Sequence, residues 1–242
     1  MILAITQEQA HKLAAVAKAA GTDQIMALTG MKLRWALSDD GQTVEFEAIC
    51  TTLHVTALRG FDIPATECRN MGDNEQKGSI VVTQARFLAD ALKEIGKMAK
   101  AAPLLTTNGS RAPKAKLLLE ITADSLRLTS EQGQAVYDFV LHPTDLFPSM
   151  DNLMPGNVQR AYSVGRRDVA ALKALRFESH LPTLAMAQIK RLIESTGDSM
   201  AKTAEVFPFY LIPPTVGDGK RARWAFMSVR PLEWWVGLVQ SV

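Results

Sequence analysis

In the run SIVVTQARFLADALKEIGKMAK, residues 79–100, four cations recur at helical spacing: Arg86, Lys93, Lys97 and Lys100. At about 100° per residue they share roughly 60° of arc, while Leu88, Ala91, Leu92, Ile95 and Met98 gather opposite. The chemistry open to such a stripe is neutralisation of phosphates by charge, sensitive to salt and indifferent to base sequence. Alone, it is as often a solvated helix face, and Asp90 at its edge weakens it. Other helical segments repeat the plan. In the first, Leu13, Ala14, Val16, Ala17 and Ala20 form the apolar side, Gln7, His11 and Lys18 the polar side, with Lys12 at the margin. Later, Arg166, Lys173 and Arg176 share one side of a helical pattern, and Lys190 and Arg191 sit off the face of Met186, Ile189 and Ile193. Four helices with exposed bases and few neighbouring acids carry more weight than one.

Other chemistry has little to stand on. His11, His54, His142 and His180 are scattered, with no His-x-x-x-His or Cys-x-x-Cys spacing, so neither a metal nor a cofactor is expected. The Gly-x-Ser-x-Gly elbow, the Walker phosphate loop and the GxGxxG turn are absent. Asp39-Asp40 precedes Gly41 and reads as a turn, and Asp218 between two glycines reads likewise. Trp234-Trp235 has the rings to stack on a nucleobase, but in a terminal strand core packing or an interface is the stronger reading. The expectation is a protein that is not an enzyme.

The elements that must position these cations follow from periodicity. The chain has 242 residues, 47% of them hydrophobic and 21% charged, with a net charge of +2, ordinary globular values. It contains no apolar run of the roughly 20 residues that cross a membrane, and its start does not read as a signal peptide. Two cysteines are too few for a disulfide scaffold, so a cytoplasmic location is expected. A strand over 2–5 leads to Thr6, which with Gln9 makes a capping box for a helix ending near Gly21. Strands are expected over 25–37 and 43–59, and a loop over 62–78. The plan restarts with a strand over 79–82, Thr83 as helix cap, a helix to about 101, and strands over 116–121, 125–130 and 135–141. Residues 145–156 read as a linker. A third, less regular paragraph has a strand over 162–164, helical patterns over 166–177 and 183–196, and strands over 206–212, 222–229 and 234–239.

On these residues a resemblance rests. The runs SIVVTQARFLADALKEIG and KLLLEITADSLRLTSEQGQAVYDFVLHPTDLFPSM are similar to the second half of the first domain of bacterial DNA polymerase III β subunits, the sliding clamps. Leu126 to Ser130 and Asp145-Leu146-Phe147-Pro148 carry it, and TLAMAQIKRLIESTGDSMA resembles the helix that opens a clamp's second domain. The resemblance implies an α+β DNA-clamp fold, repeated β-α-β-β-β units with helices on one face of antiparallel sheets. Residues 1–150 would form one clamp domain of two units, and 151–242 a second, diverged or partial one. It further implies a non-enzymatic processivity factor encircling double-stranded DNA as a homo-oligomeric ring, a trimer or tetramer, with a DNA polymerase and a clamp loader as partners. Carried over, the DNA-facing residues are Lys12, Lys18, Arg86, Lys93, Lys97, Lys100, Arg166, Arg167, Lys173, Lys190 and Arg191. The partner-peptide groove would fall near the linker 146–155 and the C-terminal strand, although the family's C-terminal ending is not reproduced. The alternative is a clamp-like interaction module without a ring, which regulates or sequesters a replication protein.

Overall fold

A computed structural model of the chain describes all residues except 22–25, 73–75, 102–115, 134, 150–152, 155, 169, 172–185, 198–209, 213–222, 231 and 241–242. Strand β1 (Ile2–Ile5) enters helix α1 (Gln7–Val16), which a 3-10 turn (Ala17–Ala19) extends. The expected capping box is present. Thr6 Oγ1 accepts from the Gln9 amide at 3.2 Å, and Gln9 Oε1 accepts from the Thr6 amide at 2.8 Å. A helical turn α2 (Met26–Thr29) precedes strands β2 (Met31–Leu37), β3 (Thr43–Thr51) and β4 (Val55–Pro64), followed by the short β5 (Cys68–Arg69). The second unit consists of β6 (Lys77–Val82), α3 (Ala85–Ala101), β7 (Leu117–Ile121), β8 (Ser125–Ser130) and β9 (Val136–His142). Helices α4 (Gly156–Arg167) and α5 (Met186–Ser195) and strands β10 (Tyr210–Ile212), β11 (Arg223–Arg230) and β12 (Glu233–Gln240) complete the described chain.

The twelve described strands join one curled antiparallel sheet in the order β10-β11-β12-β4-β3-β2-β6-β9-β8-β7-β1-β5. The first two units exchange their opening strands. β1 pairs with β7 of the second unit, Ile5 opposite Leu117, and β6 pairs with β2 of the first, Val82 opposite Met31. Helices α1, α3 and α5 cover one face of the sheet. Beneath them, alternate residues Val44, Phe46, Ala48 and Cys50 of β3 enter the larger core, as the period-2 side-chain alternation of a strand requires. The other parity of the same sheet, with Ile49, Leu58, Met227 and Val236, packs against Phe147, Leu153, Val158 and Ala161 in a second core. Helix α4 therefore lies on the opposite face.

Four local expectations are corrected. Part of 25–37 is the helical turn α2 rather than strand. The run 43–59 is not one strand but the β3–β4 hairpin, turned where Thr52 Oγ1 accepts from the amides of His54 and Val55 at 3.2 and 2.9 Å. Helix α3 starts at Ala85, two residues beyond Thr83. The expected strand at 162–164 lies inside α4, where Val158, Ala161 and Tyr162 repeat at i, i+3, i+4 and are buried. Gly156 and Gly165 dilute that pattern in the sequence.

The C-terminal hairpin is fastened to the first unit through Glu47, which is 3% exposed. Its carboxylate accepts from Arg34 Nε on β2, from the Tyr162 hydroxyl on α4, and from Trp234 Nε1 on β12 at 3.0 Å. Trp234 reaches it by crossing Gly60, which lies between them in the pairing register. A Cβ at Gly60 would stand 2.0 Å from the indole Cε2. Gly60→Ala is expected to cost about 1–3 kcal/mol by overpacking. Glu47→Ala, which strands buried donors including the Arg34 charge, is expected to cost about 3–5 kcal/mol. Urea denaturation measures both, and an unmoved midpoint in either variant contradicts this packing.

Candidate nucleic-acid interface

The layer of three helices has α1 between α3 and α5, because the small side chains Ala10, Ala14 and Ala17 let neighbouring helices approach closely. Helix α3 buries Leu88, Ala89, Ala91, Leu92 and Ile95 against β7 and β8. Its opposite side, including Arg86, Lys97 and the half-buried Lys93, is thereby turned to the surface. Helix α5 sinks Leu192 and Ser195 toward β4 and β12 and leaves Lys190 and Arg191 exposed.

Where the helices meet, an open cleft of 370 Å³ forms, its charged lining being Lys18, Arg86, Lys93, Arg191, Asp90 and Glu194. Four cations from three elements thus converge and outnumber two acids. Lys93 is partly committed, with Nζ 3.3 Å from Asp90 Oδ1. Lys18, Arg86 and Arg191 have no ion-pair partner among the described residues. A concave surface with uncompensated positive charge raises the local concentration of a polyanion and holds it without fixed registry. Arg191 also borders a second cleft with Thr52, Leu53, His54 and Gln188, which places the β3–β4 turn beside it. No sequence signal marked that neighbourhood, because the turn was hidden within an apparent single strand.

The structure does not gather every sequence candidate. Lys12 is only 5% exposed: its ammonium lies 2.6 Å from Glu233 Oε2 and 2.9 Å from Glu8 Oε1, with Arg59 Nη2 4.0 Å from the same Glu233 oxygen. It docks α1 to β12 and is no part of a phosphate-facing surface; its place at the margin of the amphipathic face concealed this. Arg166 and Arg167 belong to α4, the helix on the other side of the sheet, with their side chains outside the described residues. Lys97 is exposed beyond Lys93, and Lys190 is exposed outside the cleft. Lys100 belongs to α3 with its side chain outside the described residues, and Lys173 lies outside them altogether.

Of the expected partner groove, Phe147, Leu153 and Met154 are already used in the second core, while Leu146 is 54% exposed. Trp234 and Trp235 are both buried, on opposite faces of β12. Cys50 is fully buried, which pushes its thiol far above the ordinary cysteine value and away from nucleophilic use. Among the described residues no three His, Cys, Asp or Glu side chains gather as metal ligands, and no helix is long and apolar enough to cross a membrane.

No family model matches the sequence, and no curated protein matches it. Solved structures do. The DNA polymerase sliding clamp from Pseudomonas aeruginosa with ligand aligns over 100% of this chain with a TM-score of 0.53 and 12% identity. The Pseudomonas aeruginosa clamp bound to griselimycin gives 0.51 at 13% identity, and the DNA polymerase III subunit beta of the same organism 0.50 at 11%, each over the full chain. The fold is that of a bacterial sliding clamp. The chain spans 64% of the length of each of these clamps. The curled antiparallel sheet and its few helices agree with that fold.

The correction at Lys12 is testable. Lys12→Met is expected to lower stability by about 1–3 kcal/mol, since Glu233 loses its nearest cation in a buried setting. The slope of DNA affinity against salt, measured by fluorescence anisotropy, should stay at the wild-type value. A shallower slope would return Lys12 to the phosphate-contacting set.

Proposed function

We propose that this chain is a non-enzymatic sliding clamp: a homo-oligomeric ring, trimer or tetramer, around double-stranded DNA that tethers a polymerase and is opened by a loader. The observation that carries the reading is the convergence of Lys18, Arg86, Lys93 and Arg191 on the helix face of a clamp-fold sheet. Loose electrostatic contact suits a ring, whose topology retains DNA while the protein slides. Residues 1–150 serve as the first clamp domain and 151–242 as a partial second one, joined through the β4–β12 pairing.

The sheet edges support closure. β4 has its outer edge paired along its length by β12, and its side chains are almost wholly buried between the cores on the two faces. β9 is the equivalent strand of the second unit, yet among the described residues only Val81 and Val82 of β6 pair on its far side, opposite His142 and Leu141. Along the rest of β9, Val136 is 55% and Val140 73% exposed. Unpaired edges template association with another chain, and a neighbouring copy's edge at β10 is the complementary end of the sheet.

One observation favours the ringless reading, a module that sequesters a replication protein: α4 covers the face that the clamp plan leaves to strands. Native mass spectrometry separates the two. Three or four copies are expected for the ring, reduced to one copy by Val136→Lys with Val140→Lys; a monomeric wild type at micromolar concentration sinks the ring. In the assembled protein, Arg86→Gln with Arg191→Gln should flatten the plot of log affinity against log salt by about 0.9 for each phosphate that is no longer neutralised. An unaltered slope with normal processivity would remove the cleft from DNA contact.

A further inference from the structure

On the sheet face opposite the helix layer, β3, β2 and β6 carry a grid of polar side chains. Arg34 lies between Glu47 and Ser79 in the pairing register, and Ala36 between Glu45 and Lys77. Lys32 follows on the same parity, two residues from Arg34. Together they line an open cleft of 480 Å³. Its charges are not balanced where they stand. Glu47 is engaged by Arg34, Tyr162 and Trp234. Glu45 sits on β3, two strands and so about 10 Å from β6. Neither Lys32 nor Lys77 has an ion-pair partner among the described residues.

Lys32 is held in an awkward setting. Its ammonium lies 5.8 Å from the centre of the Phe147 ring, and burial, reinforced by the neighbouring Arg34 charge, pulls it below the ordinary lysine value. A half-buried cation beside a second cation is relieved by an anion. The β6 side of the cleft offers that anion a hydroxyl at Ser79, flanked by the flexible stems of Lys32 and Lys77 and by the Arg34 guanidinium, which its bond to Glu47 fixes in place.

We propose that this cleft is a binding site for a compact anion, a phosphate or carboxylate group, held over Ser79 between Lys32 and Lys77. It lies on the other face of the sheet from the helix cleft and depends on no ring. A phosphate bound there stabilises the Lys32 ammonium, so the Lys32 titration midpoint rises toward the ordinary lysine range.

The test titrates inorganic phosphate, and separately succinate, into the intact protein and follows the Cε resonances of carbon-labelled lysines. Expected are a saturable response at Lys32 and Lys77 and an upward move of the Lys32 midpoint. Lys77→Met should weaken binding about tenfold or more, as the loss of one charge-assisted hydrogen bond does. Response to phosphate alone identifies a phosphate ligand, and response to both identifies a general anion site. The variant Arg86→Gln with Arg191→Gln should bind phosphate here as wild type does while losing affinity for DNA, so failure of either proposal is seen separately. A Lys32 midpoint unmoved by both anions, or phosphate affinity unchanged in Lys77→Met, overturns the site.

Discussion

The Glu47 carboxylate governs how the rest of the chain is assembled. A charge withdrawn from water carries a desolvation cost of several kcal/mol unless every lone pair is met. Here the three donors come from β2, α4 and β12, and those on α4 and β12 lie 115 and 187 residues from Glu47 in the sequence. Satisfying one side chain therefore fixes the C-terminal hairpin against the first unit and seats α4 on the sheet. Gly60 is the concession that makes the contact feasible, since only a residue without a side chain lets the indole cross β4. On the opposite face Lys12, Glu233 and Arg59 make a second polar fastening of the same hairpin to α1. The β4–β12 seam is thus held from both sides by charged groups that would be costly to leave unpaired.

With the seam fixed, the two faces of the sheet acquire different characters. The alanine-rich contact of α1 with its neighbours draws α3 and α5 close enough for cations on three elements to share one cleft. Mutual repulsion among them is tolerated because the cleft is open to water and salt, where such interactions are weak. The other face keeps its cations in a partly shielded grid beside Phe147, where Lys32 feels burial and Arg34 together. One face suits a long polyanion held loosely; the other suits a compact group held locally.

Much of this was legible in the residues. The strand and helix order of the second unit, the Thr6 capping box, the amphipathic character of α3 and the strands β11 and β12 follow from short-range periodicity and turn chemistry, whereas the full β-α-β-β-β plan of the first unit came only with the family resemblance. What misled was equally local. Helix α4 hid behind its glycines, and the β3–β4 turn hid because Thr52, Leu53 and His54 carry none of the usual glycine or proline. Lys12 stood at the margin of a helical face, where spacing does not separate an exposed lysine from one that reaches back to a buried acid.

The amino-acid order by itself determined most of the strands and helices, and that the cations of α3 lie on one side of it, because those properties are set by neighbours within a few residues. Only the tertiary structure decided which cations meet. Lys18, Arg86 and Arg191 converge, whereas Lys12 is paired away and α4, the helix that carries Arg166 and Arg167, lies on the far side of the sheet. That choice depends on which face of a shared sheet each helix buries, and burial of Glu47, Trp234 and Tyr162 from distant parts of the chain settles it.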